Sequence, residues 1–380
     1  MSTLDWITVK GFKSIKSIEE LELRPINVLI GSNGAGKSNF MEVFSLLNTM
    51  RLGGLRDYVM RSGGADRILH FGSKTTQQLS IEIGFENGKR KYNIDLAPND
   101  ADGMFPSNEN VYTSVKQETI PDDAVSTLYA LLGRDSEAGI SNTKQKSRAI
   151  SYVREHLFHW RLYQFHDTSS SSPIKKTVPL NDNRYLRHDG SNLAAFLYYL
   201  REKHGRSYDM IRRTVRLVAP FFDDFFLEPL ALNEDTIRLE WRHQGSDDYF
   251  DVSSLSDGTL RFIALATLLL QPTELRPSVI LLDEPELGLH PAAIAILSFL
   301  IKQASVETQI VVATQSSLLL DNFNPEDVLV AERVEGATQF TRLEGEKLKI
   351  WLEDYSLGQL WEKNELGGRP APEFTDREST

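Results

Sequence analysis

Three clusters of residues in this chain have the types and spacing for chemistry on phosphates. The first lies between Pro25 and Phe44, PINVLIGSNGAGKSNFMEVF. Gly31, Gly34 and Gly36 permit backbone angles and close approaches that a side chain forbids. Successive N–H groups along Gly31, Ser32, Asn33, Gly34, Ala35, Gly36, Lys37, Ser38 and Asn39 can therefore curl around an anion. The uncharged run Ile26, Val28, Leu29 and Ile30 predicts a buried parallel strand before this turn, and Lys37 and Ser38 open a helix through Met41, Phe44 and Leu47. Strand, glycine loop and helix in that order form the P-loop pattern. The helix N-terminus would hold nucleotide phosphates, Lys37 would reach the β- and γ-phosphates, and the Ser38 hydroxyl would ligate Mg²⁺.

The second cluster is Val279-Ile280-Leu281-Leu282-Asp283-Glu284-Pro285, a predicted buried strand ending in two acids. Adjacent carboxylates are costly to bury without a cation, and a metal with a water resolves the cost. Asp283 would hold Mg²⁺ through water beside Ser38, and Glu284 would take the proton of an attacking water. The third is Leu255-Ser256-Asp257-Gly258-Thr259, directly before a helical run. Ser256 and Gly258 there make a second anion site, although taken alone the pattern is an ordinary helix cap.

The order of these clusters along the chain resembles the ABC class of ATPases. The resemblance implies that ATP is the nucleotide and that Ser256, Asp257 and Gly258 meet the γ-phosphate on the opposite subunit of a dimer. LSDGT resembles the LSGGQ signature, with Asp257 in place of the middle glycine. Gln315, in Thr314-Gln315-Ser316, falls where this class carries its switch histidine. An amide orients water or senses a γ-phosphate but takes no proton at neutral pH. Catalysis would then lean on Glu284 and run slowly. Gln164 falls at the Q-loop that senses Mg²⁺, although a plain surface glutamine fits the position equally well. Residues Glu286 to Pro291 correspond to the D-loop, and His290 reads as a helix-start contact in preference to a metal ligand.

The segments KGFKSI, GSNGAGKSNF, WRLYQFHDTSSS, DGSNLAAFL, LSDGTLR, DEPELGLHP, ATQS, SLGQLW and GGRP together resemble the RecF/SMC-like ATPases, relatives of the ATPase part of the OLD nucleases. The likeness runs through nearly the whole chain. Fewer than seventy residues follow Gln315, without a grouped acidic DxD, so the resemblance is to the ATPase without the Toprim nuclease.

The positioning elements read as an α/β fold: an ABC-type P-loop ATPase with a mixed or parallel core sheet, an N-terminal antiparallel β part and a largely helical insertion. Trp6 to Lys10 alternate like an edge strand with Leu21 to Leu23 as hairpin partner, and Leu79 to Phe85 with Lys91 to Leu96 read as a second hairpin. Asn99 to Asp123 reads as an exposed connection, and Ala124 to Leu132 and Lys144 to Leu157 as helices. Leu193 to Arg201 and Tyr208 to Val218 are helical, with Arg201, Lys203, Arg206, Arg212, Arg213 and Arg216 forming a basic face. The last third alternates helix and strand: Thr259 to Leu270, Val279 to Leu282, Pro291 to Ala304, Gln309 to Ala313. These patterns divide the chain into an N-terminal ATPase part over 1–98, an insertion over 99–250, a C-terminal ATPase part over 251–363, and a frayed tail over 364–380.

The 380 residues include no cysteine, which excludes disulfides, thiolate metal sites and a cysteine nucleophile. No segment has the length of an apolar membrane span and the opening MSTLDWITVKGF lacks export features, so a cytoplasmic protein is expected. A net charge of −11 argues against a surface that is basic overall, leaving nucleic acid only a local patch such as the basic face. The first functional reading is a homodimer gated by ATP and Mg²⁺ that hydrolyses ATP and passes its output to DNA or to a separately encoded effector, in DNA repair or anti-phage defence. The alternative is an ATP-holding scaffold that scarcely turns over. The absent switch histidine, the long insertion and the KGFKSI opening stand against a transporter subunit.

Overall fold

The computed structural model describes residues 4–114, 127–130, 137–144 and 147–368. It divides into two units, one formed by Met1–Trp160 with Asn324–Thr380 and the other by Arg161–Phe323.

The first unit begins with strands β1 (Leu4–Phe12) and β2 (Ile15–Glu22), then the fully buried β3 (Ile26–Ile30). Helix α1 (Lys37–Arg51) follows the glycine loop and buries Phe40, Met41, Phe44 and Leu47 on its inner face. Two short helices, α2 (Leu55–Arg61) and α3 (Ala65–Ile68), lead to strands β4 (Leu79–Phe85), β5 (Arg90–Pro98), β6 (Met104–Thr113) and β7 (Thr127–Ala130). These make a six-stranded antiparallel sheet in the order β2-β1-β4-β5-β6-β7. Its inner face is the apolar alternation of Ile81, Ile83, Tyr92, Ile94 and Leu96. Helix α4 (Arg148–Phe158) buries Ile150, Val153 and Leu157.

Several expectations need correction here. β1 is no edge strand, since it lies between β2 and β4 and pairs with both. The supposed connection after Asn99 contains β6, which pairs with β5 from Pro98↔Met104 to Arg90↔Thr113. Its pattern is hidden because an apolar Phe105 faces outward among Ser107 and Asn108 while one inward residue, Glu109, is charged. Glu109 is buried and accepts hydrogen bonds from the Tyr92 hydroxyl (2.8 Å) and from the N–H groups of Gly139 (2.6 Å) and Ile140 (2.8 Å). A helix over Ala124 to Leu132 is also wrong where it can be seen, because Thr127–Ala130 is a strand paired with β6. The rest of that stretch lies outside the described residues.

The second unit opens at Arg161, the second residue of β8 (Trp160–Tyr163), and continues through β9 (Val178–Pro179), α5 (Leu193–Lys203) and α6 (Gly205–Val218). Strands β10 (Phe222–Phe226), β11 (Thr236–Ile237), β12 (Glu240–His243) and β13 (Tyr249–Asp251) come next, and β10-β12-β13 form a small antiparallel sheet. Helix α7 (Asp257–Leu270), strand β14 (Val279–Asp283), helix α8 (Pro291–Ala304), strand β15 (Gln309–Thr314) and the short α9 (Ser317–Leu320) complete it. β14 and β15 run parallel, from Val279↔Gln309 to Asp283↔Ala313, so both strands deliver their C-terminal residues to the same edge.

The chain then returns to the first unit with β16 (Val328–Val334), β17 (Ala337–Arg342), α10 (Gly345–Leu348) and α11 (Leu357–Glu362). β16 pairs in parallel with β3 through Val328↔Val28, Leu329↔Leu29 and Val330↔Ile30, and antiparallel with β17. The start of the expected frayed tail is instead held: Gly368 N–H donates to Glu332, and its carbonyl accepts from Ser32 N–H at 3.0 Å. Residues 369–380 lie outside the described part.

Candidate functional site

In the first unit, β3 ends directly at the glycine loop. Gly34 (φ +81°) and Gly36 (φ +102°) adopt the left-handed conformation that favours glycine. A side chain on Gly36 would come within 2.0 Å of Thr338 Oγ1, and one on Gly31 within 2.4 Å of the Ala331 carbonyl. Helix α1 has Gly36 as its cap and no side-chain acceptor for its first N–H groups. The helix therefore offers its opening donors and the positive end of its dipole to an anion, while Ser38 stands exposed. Lys37 is only 6% exposed and its Nζ donates to the carbonyls of Gly31 (2.6 Å) and Ser32 (3.1 Å). The ammonium thus rests on acceptors of its own loop, which a phosphate, with full negative charge, can outcompete.

Residues far along the chain brace this loop. Asn39 Nδ2 donates to Ser14 Oγ (2.7 Å), Ser14 Oγ lies 2.7 Å from Thr338 Oγ1, and Thr338 Oγ1 donates to the Ala35 carbonyl (2.9 Å). Thr338 N–H closes the brace on the Ser14 carbonyl. Ser14 and Gly368 lie in the KGFKSI and GGRP segments of the resemblance, which gave them no role, and Thr338 and Ala331 fall in no segment singled out from sequence.

In the second unit, the ends of β8, β14 and β15 bring four of the expected residues together in pairs. Gln164, one residue beyond β8, donates from Nε2 to Asp283 Oδ2 at 3.2 Å. Gln315, one residue beyond β15, donates from Nε2 to Glu284 Oε1 at 2.6 Å. Glu284 itself has φ +40°, an uncommon backbone for a non-glycine residue, fixed by its N–H bond to the Ala313 carbonyl (2.8 Å). His166 Nε2 donates to the Asp283 carbonyl at 2.8 Å. Next to these, Glu286 accepts a short hydrogen bond from the buried Thr314 hydroxyl. Burial, with the Glu284 charge adding to it, raises the Glu286 pKa.

The LSDGT segment caps α7: Ser256 Oγ accepts from Thr259 N–H at 3.2 Å. Asp257 is 3.5 Å from the Lys175 ammonium, and Gly258 is pressed so close to the Gly288 carbonyl that a Cβ would lie 2.3 Å from it. Arg261, one turn into α7, donates to three backbone carbonyls: Phe165 (3.1 Å), His166 (2.8 Å) and Leu287 (2.7 Å). It joins the segment after Gln164, the signature helix and the loop after Glu284, a role the sequence did not reveal although Arg261 ends the LSDGTLR segment. His290 caps α8, its Nδ1 accepting from Ala292 N–H at 3.3 Å, which is the helix-start role expected of it.

These donor sets suit the groups they are expected to hold. An uncapped helix end with a buried lysine suits a polyphosphate, and a hydroxyl and a carboxylate are the hard oxygen ligands that Mg²⁺ takes alongside water. Among the described residues no cluster of three or more His, Asp or Glu forms a dedicated metal cage, and no helix is long and apolar enough to cross a membrane.

Among solved structures, the chain is similar to an Smc head bound to the C-winged helix domain of ScpA, at 18% identity and TM-score 0.58 over 91% of this chain and 99% of that one. It is likewise similar to an Smc head domain with an extended coiled coil bound to the C-terminal domain of ScpA from Pyrococcus furiosus, at 16% identity and TM-score 0.54 over 93% and 99%. A comparison with curated proteins found no match. The fold is thus that of the SMC heads. By the family model that matches residues 26–321, the chain belongs to the family described as "AAA domain, putative AbiEii toxin, Type IV TA system".

Proposed function

We propose that this chain binds ATP with Mg²⁺ and hydrolyses it to ADP and phosphate, and that ATP binding joins two copies of the chain. In this reading the loop Gly31 to Asn39 cradles the phosphates, Lys37 neutralises the β- and γ-phosphates, and Ser38 and Asp283 serve the metal, with Gln164 sensing it. Glu284 is the general base, and Gln315 orients it and the attacking water. Ser256, Asp257 and Gly258 face the γ-phosphate bound by the second copy. The observation that carries the proposal is the 2.6 Å hydrogen bond from Gln315 to Glu284, which holds a carboxylate at the end of a buried strand in a strained, fixed pose. Its output passes to DNA or to a separately encoded effector in repair or anti-phage defence. The toxin in the family's description and the partner-bound Smc heads among the similar structures support a protein partner.

That same hydrogen bond supports a second reading, a slow ATP-bound scaffold, because the amide occupies one oxygen of the base and cannot itself carry a proton. Steady-state phosphate release by the wild type and by Glu284→Gln separates the two. The first reading expects turnover that falls by two or more orders of magnitude in the variant, in line with loss of a general base. Equal rates in the two proteins would remove Glu284 as the base.

A further inference from the structure

We propose that Glu286 is a positioning residue, which acts through the Thr314 hydroxyl to hold the Gln315 amide against Glu284. The proposal rests on the hydrolytic reading above and names the group that keeps its base aligned. Thr314 is fully buried at the end of β15 and its single hydroxyl proton is committed to Glu286 Oε1. Thr314 Oγ1 in turn accepts the N–H of Ser316 at 2.9 Å. The two bonds therefore pin the chain on both sides of Gln315, which in turn donates to Glu284. Ser316 continues the arrangement by capping α9, accepting from Leu319 N–H at 3.2 Å.

Glu286 is held just as firmly from its own side. It sits in the turn closed by Leu287 N–H to the Glu284 carbonyl (3.2 Å) and Leu289 N–H to the Glu286 carbonyl (3.0 Å). Its second carboxyl oxygen, Oε2, is buried and makes no hydrogen bond among the described residues. Burial raises the Glu286 pKa, while hydrogen bonds from the Thr314 hydroxyl and from the backbone N–H groups of Glu286 and Gln315 act the other way. Every one of these partners is a donor, so what they require of Glu286 is an acceptor of the right length. Glutamine supplies the same acceptor. Alanine removes it, and Thr314→Val removes the donor while keeping the shape of the buried side chain.

The test measures kcat and KM for ATP together with the side-chain amide resonance of Gln315 in protein labelled at glutamine Nε2, assigned by its loss in Gln315→Ala. Glu286→Gln should keep kcat within about threefold and leave the Gln315 resonance in place. Glu286→Ala and Thr314→Val should each lower kcat by on the order of ten- to a hundredfold, with KM unchanged, and move the resonance toward that of a free amide. The double variant Glu286→Ala with Thr314→Val should cost less than the sum of the two single ones, because both break the bond between Thr314 and Glu286. A Gln315 resonance that does not move in either variant, or a Glu286→Gln protein as impaired as Glu286→Ala, overturns the proposal. Should the wild type fail to turn over ATP, the hydrolytic reading falls, and the resonance in Thr314→Val, whose buried shape is unchanged, still decides the role of Glu286.

Discussion

Lys37 is nearly buried, and its ammonium donates to two carbonyls of its own loop. Lys37→Ala should therefore leave the thermal midpoint within a few degrees of the wild type while removing measurable ATP binding by calorimetry; retained affinity would show that the phosphates are held elsewhere. This residue was legible in the sequence because phosphate binding demands glycines at fixed offsets from a lysine, all within one short segment. Gln164 and Gln315 were legible in a weaker sense. Their positions followed only from the order of motifs, and the structure sets each against an acid at the C-terminal end of β14, Asp283 and Glu284. Arg261 was hidden for a physical reason: it works by donating to backbone carbonyls, which every residue type carries, so its partners leave no trace in composition.

At the scale of elements, the strands and helices with one apolar period were readable, and α8 runs over the expected Pro291–Ala304. The β16–β17 hairpin escaped notice, although it supplies the brace behind the phosphate loop. Thr338 meets Ala35 across 303 residues of sequence, a distance over which no periodicity speaks. Replacing Thr338 with valine leaves the buried Ala35 carbonyl without its donor, at a cost of about 1–3 kcal/mol. The expected result is a lower denaturant midpoint and weaker ATP affinity in the same protein; an unchanged affinity would mean that the loop keeps its shape without the brace. Helix α6 bears on the basic face, for which pairing with nearby acids was the plainer reading. Its basic face is largely paired, Arg212 with Asp224 (3.0 Å) and Asp209 (3.2 Å), Arg216 with Asp223 (2.6 Å), while Arg201 on α5 meets Glu228 (3.4 Å). Asp224 is mostly buried, so Arg212→Gln should destabilise the second unit. If DNA binds this face, the salt dependence of its affinity should respond to Lys203, Arg206 and Arg213, which are exposed, and hardly at all to Arg212 and Arg216.

At the scale of the whole molecule, the sequence carried the fold because a P-loop, a signature segment and an acid-ended strand in that order admit few architectures, whereas what two copies do together depends on surfaces that no motif spells out. The proposed dimer places the α7 N-terminus against a γ-phosphate, and here the chain carries Asp257 where the related signature has glycine. A carboxylate beside a phosphate is repulsive, and Lys175, 3.5 Å from Asp257 and itself mostly buried, offsets it. Glu284→Gln with ATP and Mg²⁺ should therefore accumulate a dimer in sedimentation, since binding closes the pair and the missing base prevents release, while the wild type dimerises only during turnover. On that background Lys175→Ala should loosen the dimer a few-fold, by about 0.5–1 kcal/mol for a screened pair, and leave ATP affinity of the single chain unchanged. Asp257→Gly in addition should restore it, because the charge that Lys175 offsets is then gone. A Glu284→Gln protein that sediments identically with and without ATP removes the sandwich, and a Lys175→Ala dimer that Asp257→Gly does not rescue removes the signature helix from its interface.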